Sequence, residues 1–179
     1  NTICFGEKLN DVVGFRLTRA TIPDTLYNVT TTNQAFQFKV NDGVHTLVGT
    51  LRQGAYSFQS LAVEFAKALN DATNSSLFTV TSDVGSFKYT LNYTGSGSVI
   101  FYWSQTDNQV HKLVGGSGDT ETITTFPYTF RNTVDHSIHF VDLVIPEIPS
   151  IATKIGANGS NIVDRIPLSG IRGNLITYI

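Results

Sequence analysis

The chain has 179 residues, 41% hydrophobic and 15% charged, with a formal net charge of −2. A chain of this length buries about 70% of its unfolded surface and needs no covalent staple, and Cys4, the sole cysteine, excludes an internal disulfide. Scattered basic residues argue against direct nucleic-acid binding, and no apolar run approaches the ~20 residues of a membrane-spanning helix.

From the N-terminus, Val13, Phe15 and Leu17 alternate with Gly14, Arg16 and Thr18, which predicts a half-buried strand over residues 11–22. Phe36, Phe38 and Val40 repeat the alternation against Gln37 and Lys39. Asn41-Asp42-Gly43 then supplies residues that tolerate the positive φ of a tight hairpin, and a third strand over 44–51 pairs back. The period changes next. Ser57 is placed to cap an amphipathic helix from about Ser57 to Asn70, with Phe58, Leu61, Ala62, Phe65, Ala66 and Leu69 on one face and Gln59, Glu64, Lys67 and Asn70 on the other. Such a helix lies on a sheet or across the end of a sandwich.

Strands resume over 77–82 and 86–93, joined by Asp83-Val84-Gly85. After Gly95-Ser96-Gly97, Val99-Ile100-Phe101-Tyr102-Trp103 reads as a strand buried on both faces, and residues 109–114 as one helical turn ending at Gly115-Gly116. Strands over 120–130, 137–145 and 174–179 complete the set. Eight or nine short strands with one inserted helix predict an all-β, two-sheet jelly-roll sandwich, a single domain over residues 1–179. Methionine is absent, even at position 1, and the last strand reads as cut short, so the chain is expected to be a processed product or part of a longer one.

No set of residues predicts catalysis, a cofactor or a metal. His136 and His139 are three apart and point to opposite faces of a strand, with Asp135 and Asp142 nearby, while His45 and His111 stand elsewhere. Gly115-Gly116-Ser117-Gly118 lacks the Lys-Ser/Thr of a phosphate loop and reads as a flexible connection. Asn28, Asn74, Asn92 and Asn158 each begin an Asn-x-Ser/Thr sequon, a pattern that arises by chance in a chain so rich in these residues.

The unusual stretch is late. Prolines interrupt Leu143-Val144-Ile145-Pro146-Glu147-Ile148-Pro149 and Ile162-Val163-Asp164-Arg165-Ile166-Pro167-Leu168. Proline removes a ladder donor, which confines such runs to an edge, a strand end or an extended arm. Their apolar side chains must then be covered by the same chain or by a neighbour. The candidate subunit interface is Ile145, Pro146, Glu147, Ile148, Pro149, Asp164, Arg165 and Ile166, the adjacent Asp164 and Arg165 being free to meet different partners.

Three blocks resemble, in order, the penton (vertex) capsid proteins of large nucleocytoplasmic DNA viruses: Val12-Val13-Gly14-Phe15-Arg16-Leu17-Thr18-Arg19-Ala20-Thr21-Ile22-Pro23 with Asp24-Thr25-Leu26-Tyr27-Asn28-Val29; Gly54-Ala55-Tyr56-Ser57-Phe58-Gln59-Ser60-Leu61; and the late Ile145-Pro146-Glu147-Ile148-Pro149 with Ile162-Val163-Asp164-Arg165-Ile166-Pro167-Leu168. The resemblance implies a single jelly roll that forms a homopentamer at the icosahedral vertex of the virion, beside the major capsid protein and minor capsid proteins, after assembly in the infected host cell. It brings no active-site residue. Two alternatives are a minor capsid or cement protein between capsomers and a jelly-roll module that binds carbohydrate.

Overall fold

The computed structural model describes residues 19–23, 26–41, 45–105, 109–135, 140–144, 154–155, 161–167 and 175–178. By its internal contacts the chain divides into two compact units, one formed by Thr25–Ile138 and the other by both chain ends, Asn1–Asp24 with His139–Ile179. The first is therefore inserted, in chain order, between the two pieces of the second. The fold is all-β with one long helix, as the patterning predicts.

In the central unit, β2 (Ala35–Val40), β3 (Leu47–Thr50), β6 (Val99–Tyr102) and β7 (Thr120–Ile123) form an antiparallel sheet in the order β3-β2-β6-β7. A second antiparallel sheet has the order β4-β5-β8, from β4 (Phe78–Asp83), β5 (Lys88–Tyr93) and β8 (Tyr128–Thr129). Period-2 patterning sends Phe36 and Phe38 inward from one sheet and Tyr89, Leu91 and Tyr93 inward from the other. The sheets meet at Phe38 and Phe78, whose rings pack edge to face at 6.4 Å.

Helix α1 (Phe58–Thr73) touches both sheets. Phe65 packs on Phe36 and Phe101, and Phe58 stacks on Tyr89 at 4.9 Å. Its start is fixed by a reciprocal cap: the Ser57 hydroxyl accepts from Ser60 N–H at 3.2 Å, and the Ser60 hydroxyl accepts from Ser57 N–H at 2.9 Å. The helix runs three residues past the predicted end and stops at Asn74, which is left-handed with φ 48°. Asn70 does not terminate it. Instead its amide donates to Phe78 C=O and accepts from Phe78 N–H, both at 2.9 Å, tying the helix to β4. Glu64, expected on the outer face, is buried, and its Oε1 accepts from Arg52 N–H at 2.7 Å.

Two further expectations change. The run 99–103 alternates between buried and half-buried, so Ile100 and Tyr102 lie on a second, wetter face and only Val99, Phe101 and Trp103 enter the core. The stretch 120–130 is two strands in different sheets: β7 pairs with β6 and β8 with β5. Pro127, with no N–H to offer a ladder, stands where the chain passes between them. The short helix α2 (Val110–Val114) ends at Gly115, with φ 81°, as the glycine pair suggests.

In the unit built from the chain ends, β1 (Ala20–Pro23) pairs antiparallel with β12 (Leu175–Tyr178). A separate antiparallel sheet has the order β10-β11-β9, from β9 (Phe140–Val144), β10 (Lys154–Ile155) and β11 (Asn161–Pro167). The described residues thus hold twelve short strands, more than the eight or nine expected.

Candidate functional site

The candidate interface divides sharply. Ile145, Pro146, Glu147, Ile148 and Pro149 lie outside the described residues. Asp164, Arg165 and Ile166 fall on β11, the central strand of its sheet, opposite Leu143, Asp142 and Val141 of β9. β10 pairs with β11 only at Asn161 and Ile162, so among the described residues the run is central only at its start, and Asp164–Pro167 pair with β9 alone, within the edge or strand-end placement expected of a proline-broken run. Pro167 is the last residue of the strand, where the missing N–H breaks no ladder inside it. Ile166 is 3% exposed, so this chain alone covers its side chain.

Among the histidines, His45 is exposed, and His136 and His139 lie outside the described residues. His111 sits on α2 with Nδ1 buried and without a hydrogen-bond partner. Burial, and then the charge of Lys112, holds its pKa below the ordinary histidine value. No group of three or more His, Cys, Asp or Glu among the described residues could hold a metal ion. Nor is any helix of these residues long and apolar enough to cross a membrane.

The sequons differ in surroundings. Asn28 is buried, donating to Tyr56 C=O at 3.0 Å and accepting from Tyr56 N–H at 2.9 Å. Asn92 is half-buried within β5, Asn74 is exposed at the helix end, and Asn158 lies outside the described residues. Of the two aromatics weighed as a carbohydrate platform, Trp103 is 1% exposed and stacks on Phe101 at 4.5 Å, and Tyr102 is half-buried with Lys39 Nζ 5.9 Å from its ring.

One carboxylate organises the loop beside Trp103. Glu121 Oε2 accepts from Trp103 Nε1 at 2.8 Å, while Oε1 accepts from the Tyr128 hydroxyl at 2.7 Å. Burial and then this hydrogen bond to Glu121 push the Tyr128 pKa up to about 12. Both oxygens are occupied by fixed donors, which makes Glu121 a clamp between β7 and β8 rather than a free acid or base.

The β4–β5 hairpin has two distinct ends. At its tip the Asp83 carboxylate accepts from Gly85 N–H at 2.9 Å and from the Ser86 hydroxyl at 2.6 Å. These bonds, the Ser86 hydroxyl first, hold its pKa below the ordinary carboxylate range. The tip displays Val84, 55% exposed, and Phe87, 50% exposed with the left-handed φ of 53°. That backbone is uncommon for a bulky side chain and costs energy that the surrounding bonds must offset. Sequence patterning assigns Phe87 to a strand; only its position after Gly85-Ser86 hints at a turn. At the opposite end lies a cleft of ≈ 320 Å³, lined by Val40, Leu47, Ala72, Leu77, Phe78 and Tyr93, with Thr73 and Ser75 also in its wall.

Comparison with known proteins gives a family and no function. A model described as a family of unknown function (DUF5901) matches residues 1–168, nearly the whole chain, and the chain belongs to that family. No curated protein and no solved structure matches it.

Proposed function

We propose that this member of the DUF5901 family is a structural capsid protein, forming the pentameric vertex of an icosahedral double-stranded DNA virus particle and acting by assembly rather than catalysis. Its partners on this reading are copies of itself and the major capsid protein. The observation that supports it is that parts of the two sequence blocks most like the vertex proteins fall in one compact unit. β1 lies within the opening block, whose residues 25–29 belong to the central unit, and β11 overlaps the late block; β1 and β11 both belong to the unit formed by Asn1–Asp24 with His139–Ile179. An all-β body of low charge suits repeated side-by-side contacts, since weak net charge leaves little repulsion between copies.

Sedimentation of the purified chain, together with reconstruction of the particle, tests the reading. A closed pentamer in solution and density for this chain at the vertices are expected. A monomer at every concentration, absent from particles, overturns it. Density between capsomers moves the protein to a cementing position instead.

A further inference from the structure

The geometry points to His111 as an acid-sensitive latch: when its ring takes up a proton, the 115–118 loop lifts from Trp103 and the 132–135 segment bonded to that loop comes loose. Such a device operates whether or not the chain builds capsids.

The latch is a short piece of backbone to which its neighbours are tied. Helix α2, at five residues, is too short to persist in water by itself, so contacts hold it in place. The His111 C=O accepts from Gly116 N–H at 2.8 Å, and Gly116 lies against the Trp103 indole, where a methyl would stand 2.6 Å from the ring. Three bonds tie the later segment to the same piece: Asn132 N–H to Gly115 C=O at 3.1 Å, the Asn132 amide to Gly116 C=O at 2.8 Å, and Asp135 N–H to Lys112 C=O at 2.8 Å. Residues 132–135 are the path by which the chain leaves the central unit, which ends at Ile138. Loss of α2 therefore uncovers Trp103 and frees that path together.

The His111 ring sits inside this piece. Its Nδ1 is buried with no hydrogen-bond partner among the described residues, and Gly118 lies beside the other nitrogen, a methyl there standing 3.4 Å from Nε2. A neutral imidazole carries one N–H, so an unpartnered Nδ1 is tolerable. A protonated ring carries N–H on both nitrogens and leaves a buried, charged donor without an acceptor. The charged groups on the surrounding elements are Lys112 on its own helix, Asp119 and Glu121 beyond the loop, and Arg131 and Asp135 on the later segment. Glu121 is held by Trp103 and Tyr128. Lys112 is the charge that acts on the ring, and it opposes a proton, as burial does more strongly. With the folded pKa depressed, the stabilisation from neutral His111 is complete above the unfolded value of about 6.5 and is lost as pH falls through the lower folded value.

Trp103 is the only tryptophan, so its emission reports on the loop directly. In the full-length chain, acidification from about pH 8 to about pH 5 should move that emission to longer wavelength. Amide exchange at Gly116, Asn132 and Asp135, corrected for the intrinsic rate, should speed up about tenfold while the β2 and β6 amides stay protected. His111→Phe keeps a flat ring, gives up no hydrogen bond at Nδ1 and does not titrate, so both changes should vanish. His45→Asn, which removes an exposed histidine, should keep them. If His111→Phe melts early at neutral pH, His111→Gln, also uncharged throughout, takes its place. The latch is overturned if emission and exchange hold steady in the unaltered chain, if the changes survive in the His111 variant, or if they vanish in His45→Asn. It is overturned too if the β2 and β6 amides lose protection along with Gly116, since the whole unit is then unfolding.

Discussion

Around Trp103 the central unit gives up side chains so that rings can touch, whereas at the 84–87 tip it keeps an aromatic ring half outside at the cost of an uncommon backbone. A methyl at Gly116 would stand 2.6 Å from the Trp103 indole, and one at Gly49 would overlap the Phe36 ring. In this region Phe101, Trp103, Phe36, Phe65 and Phe130 lie against one another with ring centroids 4.5–6.4 Å apart. At the tip, by contrast, Phe87 has Phe58 on one side, at 5.7 Å, and is otherwise half-exposed. The first region uses backbone freedom to complete burial. The second spends it holding a ring that is covered on one side only, by Phe58.

The largest effect expected from breaking this contrast is in the ring cluster. Phe101 touches Phe36, Phe38, Phe65, Trp103 and Phe130, so Phe101→Ala opens a cavity between helix and sheet. A loss of ~3–5 kcal/mol is expected in guanidinium denaturation. Next is Gly116→Ala, which forces an atom against the indole and should cost ~1–3 kcal/mol in the same measurement, with the tryptophan emission shifted. An unchanged midpoint for Gly116→Ala would mean that the loop yields easily, and the packing contrast between the two regions would weaken.

Much of this was legible from residue order. Alternation located the inward residues Phe36 and Phe38, and Ser57 before the Phe58, Leu61, Phe65, Leu69 stripe located the helix, because both signals are local periodicities that burial itself creates. Long-range pairing was not legible. Nothing in residues 120–130 distinguishes a strand that stays in one sheet from one that changes sheets, since both satisfy the same alternation. Pro167 takes one of the expected places, a strand end, but which strand it would pair with was not legible. Glu64 and Phe87 escaped because their positions depend on partners distant in sequence, Arg52 for one and the whole hairpin for the other. The candidate interface was read from composition, and of its members only Ile166 has a described side chain, which is buried.

A smaller effect probes the polar clamp that closes the ring cluster. Glu121→Gln keeps the shape but replaces two charge-assisted bonds, from Trp103 Nε1 and the Tyr128 hydroxyl, with at most neutral ones. A loss of about 1 kcal/mol is expected. The Tyr128 pKa should fall from its raised position, because the carboxylate that disfavours the phenolate is gone, although burial, the larger cause, persists. An absorbance titration of the tyrosines reads this directly, and an unmoved Tyr128 would show that the clamp acts through packing alone.

The smallest effect belongs to the tip, where Asp83 is fully exposed and its folded pKa is depressed chiefly by the Ser86 hydroxyl. A depressed folded pKa means that ionised Asp83 favours the ordered turn. That contribution is complete above the carboxylate's unfolded pKa of about 3.9 and is lost as pH falls through the lower folded value. Amide exchange at Gly85, whose N–H Asp83 accepts, should therefore lose protection at acid pH before the core amides of β5 do. Asp83→Asn should remove that pH dependence, because its amide oxygen can still accept from Gly85 N–H, and its NH2 can donate to the Ser86 hydroxyl, but the amide does not titrate. If Gly85 and the β5 core instead lost protection together, the tip would not be a locally held element, and Phe87 would owe its exposure to the whole hairpin rather than to the Asp83 turn.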